Sequence, residues 1–292
     1  MNRNDSGHDL RRPSLATIRA RAQKGRYREV GSWPARHWAR PTAVYGTWVA
    51  VRMRLSAHQV TLLALIAGLA AAGGIATGTR VGFCAGVVLV WLMYWLDHVD
   101  GQVARLLGTA SLEGVYLDYL LHHATTLALG FAMGHGLALR TGRPGWSLAG
   151  AAIATGWTLI SLHNDCKYKT FFQVLKRTHG SYLVEGGSGG RPEPPPPRPK
   201  QGWPALAWPF FKICEIHVLL FQWLGLGVMS LLAPVRFTIT WQGWTVIMAV
   251  VAPVLALGRI VRTIRSERVS KEFSIWFKPI SGNRTSASSK VD

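Results

Sequence analysis

Between Trp95 and His123 the chain reads WLDHVDGQVARLLGTASLEGVYLDYLLHH. Three aspartates, an arginine and three histidines sit there between strongly apolar stretches. Asp97, Asp100, Gly101 and Ala104 fall at i, i+3, i+4 and i+7, so a helix places them on one face. Gly114, Asp118 and His122 fall at i, i+4 and i+8, again one face. A short turn over 107–111 predicts antiparallel neighbouring helices whose acidic faces meet at similar depth. Three carboxylates converging where little water reaches would repel one another. Divalent cations relieve that repulsion, and hard carboxylate oxygens suit magnesium or manganese. Magnesium is commonly shared between carboxylates and substrate phosphates, and Arg105 is placed to meet such a phosphate. Gly101, Ala104 and Gly114 are small enough to let a ligand approach the backbone. The pattern points to metal-assisted phosphoryl-group chemistry at a membrane–cytoplasm boundary. Asp97 or Asp118 alone would be an ordinary charge near a helix end, where such groups snorkel or pair. Agreement of spacing, face and depth carries the reading.

The elements that must position these residues are apolar. Of 292 residues, 49% are hydrophobic and only 16% charged, against about 25% charged in ordinary soluble domains. Thirteen tryptophans and 31 glycines lean the same way, since Trp gathers at membrane interfaces and Gly lets helices approach closely. A spanning helix needs about 20 apolar residues. Six segments qualify: 58–77, 80–97 continuing to about 107, 113–139, 146–163, 212–233 and 242–260. The predicted fold is therefore all-α, a polytopic membrane protein with about six transmembrane helices. Residues 36–56 add an N-terminal amphipathic helix lying on the membrane surface.

The net charge of +19 has to be placed around these spans. With the N-terminus cytoplasmic, 29 of the 33 Lys and Arg fall on the cytoplasmic side; Arg80, Arg140, Arg143 and Arg236 fall on the other. That is the positive-inside pattern, and it brings both termini and the acidic cluster to the cytoplasmic face. The charge thus reports topology and attraction to anionic headgroups. It forms no recognisable nucleic-acid motif, so no nucleic-acid partner is expected. The predicted organisation is a basic, disordered tail (1–35), the juxtamembrane helix (36–56), a six-helix catalytic domain (57–263) and a basic tail (264–292). A Gly/Pro-rich linker, GGSGGRPEPPPPRPK, occupies 186–200. Cys84, Cys166 and Cys214 have neither disulfide nor zinc spacing, and Cys84 and Cys214 read as packing residues. The small-residue run AGLAAAGGIATG (67–78) suits close helix packing, within the chain or in a homodimer.

At its acidic cluster the sequence resembles the CDP-alcohol phosphatidyltransferase family. The family signature is D-x2-D-G-x2-A-R-x8-G-x3-D-x3-D. This chain has Asp97, Asp100, Gly101, Ala104, Arg105, Gly114 and Asp118 at the matching positions, and His122 at the last. Seven of eight defined positions agree over 26 residues with the spacing intact. The family also opens its first helix with P-N-x-x-T; here Ala57 and His58 replace Pro-Asn and Thr61 is kept. The resemblance covers roughly residues 50–165.

The resemblance implies a site for two divalent cations, Mg²⁺ or Mn²⁺, held by Asp97, Asp100 and Asp118. It implies that Gly101, Ala104, Arg105, Ser111 and Gly114 surround a CDP-linked donor, with Thr61 near the nucleotide end. An alcohol would attack the donor's diphosphate and CMP would leave, a step of phospholipid biosynthesis. The donor is either CDP-diacylglycerol or a small CDP-alcohol. The departure is His122, where the family has an aspartate that binds metal and accepts the attacking hydroxyl's proton. Three roles stay open: a base that binds no metal, a ligand to a softer metal, or a mark of lost catalysis. The base is the working expectation, because Asp118 lies one turn away and can stabilise the imidazolium. His123 is expected to pack or to support the ligands from behind rather than ligate, and His135, near the far end of its helix, to carry no role.

His163, Asn164, Lys167 and Lys169, at the end of the fourth helix, are candidates for holding a polar headgroup, and so are Glu215 and His217 in the fifth. Glu215 and His217 are equally able to pair with each other or with Lys212. A catalytically silent nucleotide-lipid binder or scaffold is the rival reading. A transporter fits less well, because the polar residues cluster at one interface.

Overall fold

The computed structural model describes residues 13–23, 32–178, 182–184 and 212–279. The linker 186–200 and the outer parts of both tails lie outside the described residues. The described chain is built of helices: α1 (Leu15–Ala22), a π-helical turn (Ala35–Ala39) running into α2 (Arg40–Arg52), α3 (Ala57–Ala76), α4 (Arg80–Leu107), α5 (Leu112–Thr141), α6 (Gly145–Arg177), α7 (Ile216–Leu232), α8 (Pro234–Arg265) and α9 (Arg268–Trp276). Two three-residue strands, β1 (Tyr182–Val184) and β2 (Phe277–Pro279), pair antiparallel, with Leu183 opposite Lys278.

Local sequence explains the helix ends. The Ser56 hydroxyl accepts from the Gln59 amide at 3.2 Å, and the Gln59 side chain accepts from the Ser56 amide at 2.8 Å, a capping box that starts α3. Thr79 and Ser111 cap α4 and α5 in the same sense. Gly108 ends α4 at φ 65°, a left-handed conformation that a Cβ would penalise, and the chain turns within Gly108–Ser111.

Four helices are long and apolar enough to cross a membrane: Ala57–Ala76, Arg80–Leu107, Gly145–Arg177 and Pro234–Arg265. Their outer faces leave Val88, Leu148, Ile239 and Val250 exposed, a surface suited to lipid. Apart from the short strand pair, the described residues form an all-helical framework with four helices suited to crossing a membrane. Three histidines interrupt α5 despite its 30 residues, and apolar α7 has 17. The fourth predicted span, 146–163, proves to be the start of a continuous helix reaching Arg177.

The acidic helices are not the tight antiparallel pair that the short turn predicts. Among the described residues α3 packs against both α4 and α5, while α4 and α5 make no comparable contact. Gly68 of α3 sits between Met93 of α4 and Thr125 of α5, where a Cβ would lie 2.6 Å from each. The gap left between α4 and α5 is the space a site needs. On its far side α5 packs on α6, and α6 on α8. Gly150 is wedged against α5, its notional Cβ 2.6 Å from the Phe131 carbonyl oxygen and 2.9 Å from the Gly134 Cα. Part of the small-residue run of α3 packs inside the chain: a Cβ at Gly74 would lie 2.8 Å from the Gly82 carbonyl of α4. Phe83, Phe237 and Trp241, none more than 1% exposed, interlock with centroids 4.7–5.4 Å apart and tie α4 to α8.

The expected disorder of 1–35 does not extend to Leu15–Ala22. Ile18 and Ala22 are fully buried in a cluster with Ala43, Val44, Val99 and Val103, so α1 is docked on α2 and α4. Leu15, Ile18 and Ala22 repeat at i, i+3 and i+7 behind a capping Ser14, the apolar stripe of a short packed helix. Helix α2 buries Ala43, Val44, Thr47, Ala50 and Val51 and turns Tyr45, Val49 and Met53 outward.

Candidate active site

Helices α3, α4 and α5 enclose a cavity of about 430 Å³. Thr61, Asp97, Asp100, Gly101, Ala104, Arg105, Ser111, Gly114, Asp118 and His122 all line it. Every residue expected from the sequence to hold the metals, the donor or the proton therefore reaches one space. At its centre the ligand atoms of Asp97, Asp118 and His122 lie within 4.8 Å of one another. His122 Nε2 is 3.2 Å from Asp97 Oδ1 and 3.2 Å from Asp118 Oδ1. The imidazole thus bridges the splayed helices, one carboxylate from each.

Asp100 stands apart from this trio. Its Oδ2 is 2.8 Å from the Thr61 hydroxyl, which is also 2.9 Å from the Ala57 carbonyl. One hydroxyl proton serves one of these acceptors at a time. Asp100 still lines the cavity, one helical turn from Asp97. The donor set that converges most tightly is two carboxylates and an imidazole, with His122 in the place the sequence suggested for Asp100. Two carboxylates and an imidazole suit manganese or zinc, and magnesium with phosphate oxygens completing its shell.

Arg105 is held from an unforeseen direction. Its Nε donates to the Ala22 carbonyl at 2.7 Å, so the C-terminal end of α1 fixes the guanidinium. Gly101 makes room for it: a Cβ there would lie 3.1 Å from Nη1. Gly114 does the same for His58, whose Nε2 would be 3.3 Å from an added Cβ. Ser111 also has a structural task, since its hydroxyl accepts the Gly114 amide at 3.1 Å and starts α5. Gln102, 2% exposed, accepts from Thr47 at 3.0 Å and donates to the Arg40 carbonyl at 3.0 Å, locking α2 to α4.

A second cavity of about 520 Å³ shares Thr61, Asp97, Asp100, Asp118 and His122 with the first. It runs inward past Leu121, Leu129, Trp157 and Trp223, and carries Ser161, Asn164, Glu215, His217 and Arg259 on its polar wall. The acidic trio stands where the two chambers meet. Of the headgroup candidates, Asn164, Glu215 and His217 line this chamber. Glu215 also pairs with Lys212 at 2.8 Å and with His217 at 3.3 Å. Lys167 is bonded to Glu272 at 3.0 Å, and His163 lies 3.2 Å from the Thr263 hydroxyl. His123 Nε2 lies 2.7 Å from Asp165 Oδ2 on α6. His135 stacks on Phe131 and contacts Ser147.

Gln23, Arg40 and Arg259 also face the chambers and were not foreseen. Nothing local in the sequence marks Arg259 or Arg40 among many other basic residues. The stripe of α1 was the available signal for Gln23. The chain matches no protein-family model, and a search of the curated proteins returns no match.

Proposed function

We propose that the chain is an integral-membrane transferase. It moves a phosphatidyl or other substituted phosphate group from a CDP-linked donor to an alcohol, with release of CMP, in phospholipid biosynthesis. The observation that carries this reading is the convergence of all eight signature positions, with Thr61 and Ser111, on one cavity, and of Asp97, Asp118 and His122 within ligand distance of one another. Helices α5 and α7 complete six spans, and α2 lies along the cytoplasmic surface. An α4 of 28 residues is about 42 Å long, more than the roughly 30 Å hydrocarbon core. Its last turns, with Asp97 to Arg105, then reach the cytoplasmic boundary, where a water-soluble nucleotide and a lipid can meet.

Asp97, Asp100 and Asp118 would hold one or two divalent cations, which leaves the His122 imidazole free to accept a proton. A cation held there would supply positive charge to neutralise a diphosphate and polarise the phosphorus under attack. The chain's own residues do the rest. Arg105 pairs with a phosphate oxygen. The apolar walls of the second chamber exclude water that would compete with the alcohol. His122 takes the proton of the attacking hydroxyl while Asp97 and Asp118 stabilise the imidazolium. The new bond joins the alcohol oxygen to the phosphorus attached to the lipid or small alcohol. The bridging P–O bond of the diphosphate breaks, and CMP leaves with the electron pair.

One observation favours a second reading. The His122 imidazole already spans both carboxylates at 3.2 Å, an arrangement that also suits a silent relative which binds nucleotide-lipid without turnover. Purified protein with Mn²⁺ or Mg²⁺, CDP-diacylglycerol or a small CDP-alcohol, and a panel of alcohols is expected to release CMP. Chelation by EDTA and Asp97→Asn are each expected to abolish release. Tight donor binding without CMP release for any alcohol would select the silent reading.

A further inference from the structure

We propose that the membrane exit of α8 is a seat for one anionic phospholipid. Its headgroup phosphate lies between Arg262 and Arg265, and its glycerol backbone lies in the notch left by Gly258. The seat shares no lining residue with either chamber of the candidate active site, so the inference stands apart from the transferase reading.

The depth of the seat in the bilayer follows from the sequence of α8. From Phe237 to Gly258 the helix runs 22 residues without a charge. At 1.5 Å per residue that is about 33 Å, against a hydrocarbon core of about 30 Å. Arg262 and Arg265 then stand one and two turns beyond its edge, at the level of lipid phosphates. Gly258, Val261, Arg262, Arg265 and Ser266 line a cleft of about 380 Å³ there. Nothing lies within 4 Å of where a Gly258 Cβ would be, so the helix surface is notched one turn before Arg262. Deeper in the membrane Val250, Val254, Leu257 and Val261 are exposed at i, i+4, i+7 and i+11. They form one apolar stripe leading up to the cleft, along which acyl chains can lie.

The charges of the cleft select an anion. Arg262 and Arg265 are three residues apart on one helix face, are exposed, and make no ion pair among the described residues. Neighbouring cations are engaged elsewhere, since Arg268 and Lys167 both bond Glu272. Lys271 Nζ donates to the Ser266 carbonyl at 2.8 Å, which brings a third positive charge to the end of the cleft. Glu267, at φ 51°, makes the turn that folds Lys271 back and does not line the cleft. Two guanidiniums suit the two free oxygens of a phosphodiester. A phosphatidylcholine headgroup adds a cation that these charges repel, whereas an anionic headgroup adds none. Each arginine corresponds to about a fivefold preference for the anionic lipid.

The test is a thermal melt of the full-length protein in neutral detergent, titrated with dioleoylphosphatidylglycerol, dioleoylphosphatidylcholine or inorganic phosphate. Phosphatidylglycerol is expected to raise the melting temperature saturably; the other two, at equal concentration, are not. The joint variant Arg262→Gln, Arg265→Gln should weaken the apparent affinity for phosphatidylglycerol about tenfold or more. Gly258→Leu, which keeps both arginines and fills the notch, should weaken it too. All three positions are exposed, so these variants should melt close to wild type without lipid. Arg19→Gln with Arg21→Gln, two exposed arginines of α1, should leave the lipid shift unchanged. An equal shift from phosphatidylcholine would reduce the effect to apolar solvation, and an equal shift from free phosphate would make the cleft a plain anion site; either overturns the proposal. So does a phosphatidylglycerol shift that survives the Arg262 and Arg265 substitutions, or one lost equally in the α1 variant.

Discussion

His122 is the residue on which the chemistry turns. Its Nε2 sits at the same 3.2 Å from two carboxylates carried by two different helices. That position serves a proton acceptor and a metal ligand equally well. If the imidazole is the base, His122→Ala should lower the rate of CMP release by about 10²–10⁴-fold, the usual contribution of general base catalysis. His122→Asp, which restores a proton-accepting metal ligand, should recover most of it. An alanine variant with wild-type turnover would remove the imidazole from the reaction. Asp100 lines the cavity but is turned toward Thr61 rather than into the tight group. Its position in the cavity follows from helix periodicity, but its bond to Thr61 depends on α3 lying alongside, which periodicity does not report.

At the scale of elements, the glycines and the last helix make opposite kinds of prediction. Gly150 lies against the backbone of α5, so Gly150→Ala forces α5 and α6 apart and should lower the melting temperature. Gly73 has open space around its missing Cβ and a helical backbone, so Gly73→Ala should raise stability, by roughly 0.5–1 kcal/mol. Thermal melts in detergent compare the two directly. Helix α9 is held to α6 by charge. Glu272 meets Lys167 at 3.0 Å and Arg268 at 2.7 Å. Partial burial raises the Glu272 carboxyl's affinity for protons, but the two cationic partners outweigh it and hold its pKa below the usual 4.5. A depressed carboxylate stabilises the fold fully above its ordinary value and loses that contribution as pH falls through the depressed one. Hydrogen exchange over 268–276 should therefore be slow at neutral pH and accelerate under acid. In Glu272→Gln it should be fast already at pH 7, with the acid dependence gone.

For the whole molecule, orientation is the property with the plainest test. Cys166 is exposed near the end of α6, whereas Cys214 is buried and Cys84 is partly covered, with its sulfur 2.9 Å from the Ser230 hydroxyl. A membrane-impermeant maleimide should label Cys166 in inside-out vesicles and spare it in right-side-out ones. The opposite pattern would reverse the topology read from the Lys and Arg distribution. What the sequence determined by itself was set by local rules. Apolar length, cap residues and the 3.6-residue period located the long helices and put Asp97, Asp118 and His122 on inward faces, because each depends on neighbours a few residues away. The tertiary structure decided what depends on distant partners. It wedged α3 between two helices that a short turn suggested would touch, and so opened the cavity. It brought α1, 83 residues before Arg105 in the chain, to the guanidinium through the Ala22 carbonyl. It placed His122 rather than Asp100 in the tightest ligand group, because side-chain direction follows from how whole helices pack and not from spacing along one of them.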